Sequence, residues 1–388
     1  MLAHITKYLE ANNLRAEDFP YRLHSPGRIN LIGEHTDYTG GLVMPASIDK
    51  GIEFYARPQP RRSLILHAVD LRDTYALPLP ATGRTDRLWV DYLAGITAEF
   101  EGMGYEVPGL EIVFGGDVPR GSGMSSSAAL EGGMAFLLNT ILDAQLSRPQ
   151  LARLCKASSN GFIGIPSGIM DQFASLNGTA VGPLILDCHT LEFSTVSAEL
   201  PGYTWMLVNS NVSHELTGSE YPERVQQCAT ALEVIQRRFP EITYLSAATR
   251  EHLNEMGEYM SEIVHQRAHH VILENERVRH AAAALAAGDA ERMGQLLNAT
   301  HASLRDDYEV SCPEVDFLQE QAQLIGDNPT DVAGSRIMGG GFGGCTINLV
   351  RTTVIPALKN HLVTAYFAAF GRRPEFYEVK IGPGTRLI

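Results

Sequence analysis

Three short segments concentrate residue types able to do chemistry. Gly116 to Leu130 reads GDVPRGSGMSSSAAL. Gly121 and Gly123 remove side chains where backbone N–H groups must approach a ligand closely, and Ser125, Ser126 and Ser127 place hydroxyls at the mouth of a helix. The first turn of a helix offers unpaired N–H donors and the positive end of its dipole, which favours an anion. A triphosphate is the natural guest. An N-capped helix after a glycine turn is the plainer alternative, but three consecutive serines exceed what capping requires.

The second segment, Ser25 to Gly41, reads SPGRINLIGEHTDYTGG and crowds Arg28, Glu34, His35 and Asp37 around Gly33. Carboxylates and an imidazole so close together suit a polyhydroxylated ligand, because each accepts or donates directionally to hydroxyls. A solvated polar turn is the bland alternative. A metal site is disfavoured, because Glu-His-x-Asp in a loop has neither a helical i, i+4 pair nor a cysteine. The third segment, GIPSGIMDQ over 164–172, sets one acid, Asp171, among small and apolar residues. Many such acids only cap helices; here a buried functional carboxylate is the preferred reading.

Other chemistries are excluded. Ser122 stands where a Walker A loop needs lysine. Arg305-Asp306-Asp307 lacks the histidine and asparagine of a protein-kinase catalytic loop. The glycine cluster at 338–344 leads into the strand-like TINLV, whereas a dinucleotide fingerprint opens a helix; a backbone loop near the sugar or phosphates, or a plain glycine turn, are its two readings. A net charge of −14 counts against a nucleic-acid partner. The five cysteines lack C-x-x-C spacing and read as free thiols. The first twenty residues lack the apolar core of a signal peptide, and no run of about 18 apolar residues would span a membrane. The expectation is therefore a cytoplasmic chain with no nucleic-acid or membrane partner; a monomer is expected, though no residue pattern bears on oligomeric state.

The elements that must position these segments follow from pattern. A leading helix precedes an extended stretch at 21–33, and strands are expected at 42–48, 51–57, 63–69 and 110–114. Helices are expected at 89–100, 125–143 and 148–158, with another opening near Gly168. The second half is more helical: strand 204–209, then helices 219–238, 258–287, 289–300, 313–325 and 353–370. A strand–glycine loop–strand element covers 334–350, and a last strand covers 375–381. At 388 residues two domains are expected, 1–203 and 204–388.

The three segments, in this order, closely resemble the GHMP kinase superfamily and within it the galactokinase family. The resemblance rests on GRINLIGEHTDY (27–38), on Pro119 to Ala128 with Met124 where leucine is usual, and on MGGGFGGC (338–345). Further agreement lies in 209–228 and 301–316. It implies an α+β fold of two domains, the first like ribosomal S5 domain 2 and the second ferredoxin-like, with ATP and galactose meeting in the cleft between them. The implied activity is phosphorylation of galactose on its anomeric hydroxyl, with ATP as co-substrate and Mg²⁺ as cofactor.

Carried over residue by residue, Asp171 is the expected catalytic carboxylate and Arg28 its cationic neighbour. Glu34, His35, Asp37, Gly168 and Tyr221 would hold the sugar. Trp89 would flank the adenine, while Pro119, Gly121, Ser122, Gly123, Met124, Ser125, Ser126, Ser127 and Ala128 would line the nucleotide, with Ser127 near Mg²⁺. The chain departs from the family where relatives carry a metal-binding glutamate: Ser159 stands there, which leaves ATP, water or an acid such as Glu131 to hold the cation. Two competing expectations are an N-acetylgalactosamine kinase and a catalytically weak sugar- and ATP-binding sensor. Thr36 within EHTDY favours galactose, and the intact Ser125–Ala128 run with Asp171 favours turnover.

Overall fold

The computed structural model describes residues 2–119, 121–212 and 220–388. Arg120 and the stretch 213–219 of the 209–228 motif lie outside the described residues. The first half contains α1 (Ala3–Ala11), β1 (Tyr21–Asn30), β2 (Leu42–Val43), β3 (Pro45–Pro58), β4 (Ser63–Ala68), β5 (Asp73–Pro78) and α2 (Leu88–Gly102). It continues with β6 (Leu110–Gly116), α3 (Ser126–Ile141), α4 (Arg148–Ala157), α5 (Met170–Asn177), β7 (Leu184–Asp187) and β8 (Phe193–Thr195). There follow β9 (Tyr203–Asn209), α6 (Glu220–Gln236), α7 (Arg250–Met256), α8 (Glu262–Ala286), α9 (Ala290–Asp306) and α10 (Pro313–Gln323). The chain closes with β10 (Val332–Met338), β11 (Cys345–Arg351), α11 (Ile355–Phe370), β12 (Glu375–Glu378) and β13 (Arg386–Leu387).

The larger sheet runs β13-β1-β3-β6-β4-β5, antiparallel except for the β4–β6 pair. Its apolar face carries Phe54 and Phe114, buried against Leu93 of α2, Leu130 and Leu137 of α3 and Phe173 of α5. A second sheet, β10-β11-β9-β12, is fully antiparallel. Met206 and Val208 of its β9 pack against Leu318 of α10 and Leu358 and Leu362 of α11. A third cluster joins the two halves: Ile29, Leu31 and Met44 bury against Leu207, Val278 and Ile347. The loop after β1 is thus pressed onto α8.

The expected elements are mostly present, with informative differences. The two strands expected at 42–48 and 51–57 are one continuous β3, with Leu42–Val43 pairing separately to β7. Gly51 interrupts the apolar pattern for another reason: a Cβ there would sit 2.5 Å from the Ser25 carbonyl of neighbouring β1. Elements β5, β7, β8 and α7, of three to seven residues, are too short to show a period and are not among the expected elements, and α9 runs on past 300 to Asp306. A π-helical turn, Ser158–Ile163, follows α4; such widened turns recur where a side chain is re-aimed at a functional site. It carries Ser159.

Candidate active site

β1 is irregular between Pro26 and Arg28, where its register with β3 shifts. A Cβ on Gly27 would lie 2.7 Å from the Met124 carbonyl, so the glycine–serine loop sits directly on the bulge. Beyond it, Arg28 reaches Asp171 in the first turn of α5. Nε donates to Oδ1 at 2.8 Å and Nη2 to Oδ2 at 2.5 Å, while Nη1 donates to the Gly123 carbonyl. The Ser125 hydroxyl donates to Asp171 Oδ2 at 2.6 Å. The Arg28 side chain is 6% exposed and that of Asp171 29%, so the carboxylate keeps an open side. The guanidinium is committed mainly to holding Asp171 and the loop.

Glu34, His35 and Asp37 occupy a turn with left-handed backbone at Gly33 and His35 (φ 95° and 62°). Glu34 is buried, and its Oε1 accepts from Arg336 Nη1 and from the Gly339 amide, both at 3.0 Å. His35 Nδ1 is hydrogen-bonded to the Tyr38 hydroxyl at 2.9 Å, and that hydroxyl to Tyr308 at 2.7 Å. Burial, with His270 and Arg224 nearby, pushes the imidazole down to about 3, so His35 works as a neutral hydrogen-bonding ring. Tyr221 sits over it, ring centroids 5.6 Å apart.

Asp37 accepts from the Tyr38 amide at 3.0 Å and the Met170 amide at 3.4 Å. Burial first, then the neighbouring Asp171 charge, pushes its carboxyl up to about 6. A Cβ on Gly168 would lie 1.6 Å from Asp37 Oδ2, so glycine is required for the carboxylate to occupy its place.

On the opposite wall, Gly121, Gly123 and Ser125 have positive φ, and α3 begins at Ser126. Gly121, Ser125, Ser126 and Ser127 line the cleft. Pro119, Ser122, Gly123, Met124 and Ala128 do not. The Ser122 hydroxyl donates to the Pro119 carbonyl at 2.6 Å, and the Met124 and Ala128 side chains are 1% exposed. These residues shape the loop and have only backbone to offer. Trp89 donates from Nε1 to Asp73 at 3.1 Å and lines the far end of the cleft with Leu71, Leu88 and Phe114. The cleft encloses about 870 Å³, ample for two small molecules end to end by the usual range for ligand sites. Gly339 and Gly340 of the glycine-rich loop form part of its wall.

For a divalent cation the relevant group is Glu131, one helical turn after Ser127 on the same face of α3. Its Oε1 accepts from the Ser159 hydroxyl at 2.5 Å and its Oε2 from Gln172 Nε2 at 3.1 Å. The Gln172 side-chain oxygen, buried beside them, has no hydrogen-bond partner among the described residues. Oxygen donors with a single protein carboxylate fit Mg²⁺, which keeps most of its shell for water and phosphate. No cluster of three or more His, Cys, Asp or Glu suited to a metal occurs among the described residues.

Sequence reading misses Arg336, fully buried in β10. Besides Glu34 it binds the Leu31 carbonyl at 2.9 Å and the Asn30 carbonyl at 2.5 Å. A lone arginine within the otherwise uncharged run AGSRIMGGG is the available signal. Glu274 and His270 of α8, which also touch the sugar-side turn, have none, because helices carry many charges.

Family models match this chain at three places: the galactokinase galactose-binding signature over 15–58, the GHMP kinases N terminal domain over 91–179 and the GHMP kinases C terminal domain over 281–367. A galactokinase of Roseiflexus sp. (strain RS-1) is 36% identical over 366 residues, covering 94% of this chain and 92% of the relative. That of Clostridium beijerinckii is 37% identical over 380 residues, covering 97% and 96%. A crystal structure of Lactococcus lactis galactokinase complexed with galactose superposes with TM-score 0.94 at 36% identity, covering 100% of this chain and 99% of that one. A mevalonate kinase structure, at 16% identity and TM-score 0.64, shares the fold. With such identity across nearly the whole of both chains, this chain belongs to the galactokinase family of GHMP kinases.

Proposed function

We propose that this chain transfers the γ-phosphoryl group of ATP to the anomeric hydroxyl of galactose in the 870 Å³ cleft, with Asp171 as the carboxylate that meets that hydroxyl. The galactokinase activity and ATP as co-substrate follow from the family. The observation that supports the site is the placement of Asp171: paired with Arg28, hydrogen-bonded by Ser125, open to the cleft, with the Glu34–Asp37 turn on one side and the serine mouth of α3 on the other.

Phosphoryl transfer asks mainly for positioning and charge stabilisation. A carboxylate paired with arginine is a weak base for a sugar hydroxyl, so deprotonation ahead of transfer would be steeply uphill. In a loose transition state the nucleophile needs little activation. Asp171 then orients the hydroxyl and takes its proton late, while Arg28 holds the carboxylate in place through two hydrogen bonds. Glu34, neutral His35, Asp37 and Tyr221 would hold the ring hydroxyls, with Gly168 leaving room for Asp37. Asp37 is suited to read the axial 4-hydroxyl, because a buried acceptor left unpaired penalises an epimer.

Trp89 would flank the adenine, and backbone N–H groups of 121–128 with the Ser126 and Ser127 hydroxyls would receive the phosphates, the Ser125 hydroxyl being given to Asp171. Ser127 and Glu131 would hold Mg²⁺, which supplies positive charge to the phosphate oxygens when bound. Division of the chain at 203/204, a monomeric state and a cytoplasmic location belong to the same proposal; among the described residues no helix is long and apolar enough to cross a membrane. ADP release measured with galactose, glucose and N-acetylgalactosamine at varied Mg²⁺ tests it. Turnover with galactose and little with glucose is expected; equal turnover of both hexoses would refute the assignment of Asp37.

A further inference from the structure

Glu274, in the middle of α8, is fully buried, and the chemistry above makes no use of it. Its Oε1 accepts from the Gly33 amide at 2.8 Å and the Glu34 amide at 3.4 Å. Its Oε2 accepts from Arg277 Nε at 2.6 Å and the Thr300 hydroxyl at 2.9 Å. Burial works to raise the carboxyl, but the Arg277 guanidinium beside it, together with His270 and Arg336, outweighs that and holds it down to about 2, so the group is ionised under working conditions.

Its neighbours on the same face of α8 grip the same turn and the β2 strand packed beside it. His270, one turn earlier, donates from Nε2 to the Glu34 carbonyl at 3.1 Å. Asn275 accepts from the Leu42 amide at 2.7 Å, and Val278 lies 2.9 Å from where a Gly33 Cβ would be. Positions 270, 274, 275 and 278 follow helical spacing. The held segment is the one whose backbone is left-handed at Gly33 and His35, a conformation that for a non-glycine residue persists only when the surroundings impose it. Amides this deeply buried also need an acceptor. The turn that presents Glu34 and His35 is therefore templated by a helix lying some 240 residues later in the chain.

We propose that Glu274 is a positioning residue for the sugar: by accepting the Gly33 and Glu34 amides it fixes the turn that aims Glu34 and His35 into the cleft. This rests on the assignment of that turn to galactose. Glu274→Gln keeps the volume but removes the charge and sets an NH₂ group against either Gly33 N–H or Arg277. The expected result is a KM for galactose raised by about 10-fold or more, the scale of one hydrogen bond to a charged group, with the KM for ATP unchanged. The galactose-induced rise in melting temperature should also be lost while that induced by a non-hydrolysable ATP analogue remains.

A residue needed only for folding would instead lower turnover per milligram and leave both KM values alone. That outcome, or equal shifts in both KM values, overturns the proposal. If the glutamine variant does not fold, Thr300→Val, which removes one donor to the far oxygen, is judged by the same criteria with a shift of a few-fold expected in the galactose KM alone. Wild-type turnover of galactose beside an unchanged galactose KM in the variants overturns the positioning role only. Wild type without galactose turnover overturns the sugar assignment together with it.

Discussion

The Arg28 guanidinium meets the Asp171 carboxylate through two donors at 2.8 and 2.5 Å, and its third nitrogen holds the Gly123 carbonyl. One cation thus ties the acid on α5 to the loop before α3. Loss of the Asp171 charge removes both the late proton acceptor and the partner of Arg28. Asp171→Asn is expected to lower kcat by at least about 10²-fold, with galactose still raising the melting temperature. A variant that keeps most of the wild-type kcat would take Asp171 out of the chemistry.

Asp37 gives a pH signature. Its carboxyl is raised from 3.8 to about 6 in the folded chain, so folding favours the protonated form. That contribution to stability is complete below the unfolded value and lost as pH rises through about 6. Relative to wild type, Asp37→Asn should therefore gain stability between pH 4 and pH 8, by at most about 3 kcal/mol, read from denaturant melts at the two pH values. Galactose needs the carboxylate as acceptor, so the wild-type KM should rise as pH falls through that range. Asp37→Ala should raise the KM for galactose far more than that for ATP.

Glu131 offers a buried carboxylate one helical turn beyond Ser127. Glu131→Gln is expected to raise the free Mg²⁺ needed for half-maximal turnover by about 10-fold. Mn²⁺ titration in the presence of ADP, followed by electron paramagnetic resonance, should show the same loss of affinity. An unchanged Mn²⁺ affinity would leave the cation to the nucleotide and water.

Arg336 is fully buried and neutralises the buried Glu34 at 3.0 Å. Arg336→Met strands that carboxylate without a counter-charge. A loss of about 3–5 kcal/mol in unfolding free energy is expected, measurable by urea denaturation, with a weakened response to galactose. A variant of wild-type stability would refute the pairing as a stabilising contact.

Local chemistry is legible in the residues themselves. The serine run, the Glu-His-Thr-Asp-Tyr turn and Asp171 each announce themselves within about a dozen residues, because glycines, hydroxyls and charges there obey short-range rules of turns and helix mouths. Pattern divides strand β3 in two at a glycine whose reason is a neighbouring backbone. Strand β5 has six residues and buries only Leu77, too little pattern to mark a strand. Pro119, Ser122, Met124 and Ala128 belong to the loop by sequence, yet Met124 and Ala128 bury their side chains and Ser122 spends its hydroxyl on the Pro119 carbonyl.

Residue types and their spacing suffice for a phosphate-accepting helix mouth, a hydroxyl-binding turn, one acid in a small-residue segment, and the family these imply. Only the folded core closes Arg28 on an acid 143 positions away. It also sets Glu131 between Ser159 and Gln172, and places α8 and Arg336 beneath the sugar-side turn. Turn and cap preferences act over a few residues. These longer partnerships arise when apolar faces from both halves bury together and force each enclosed amide and charge to find a partner across the core.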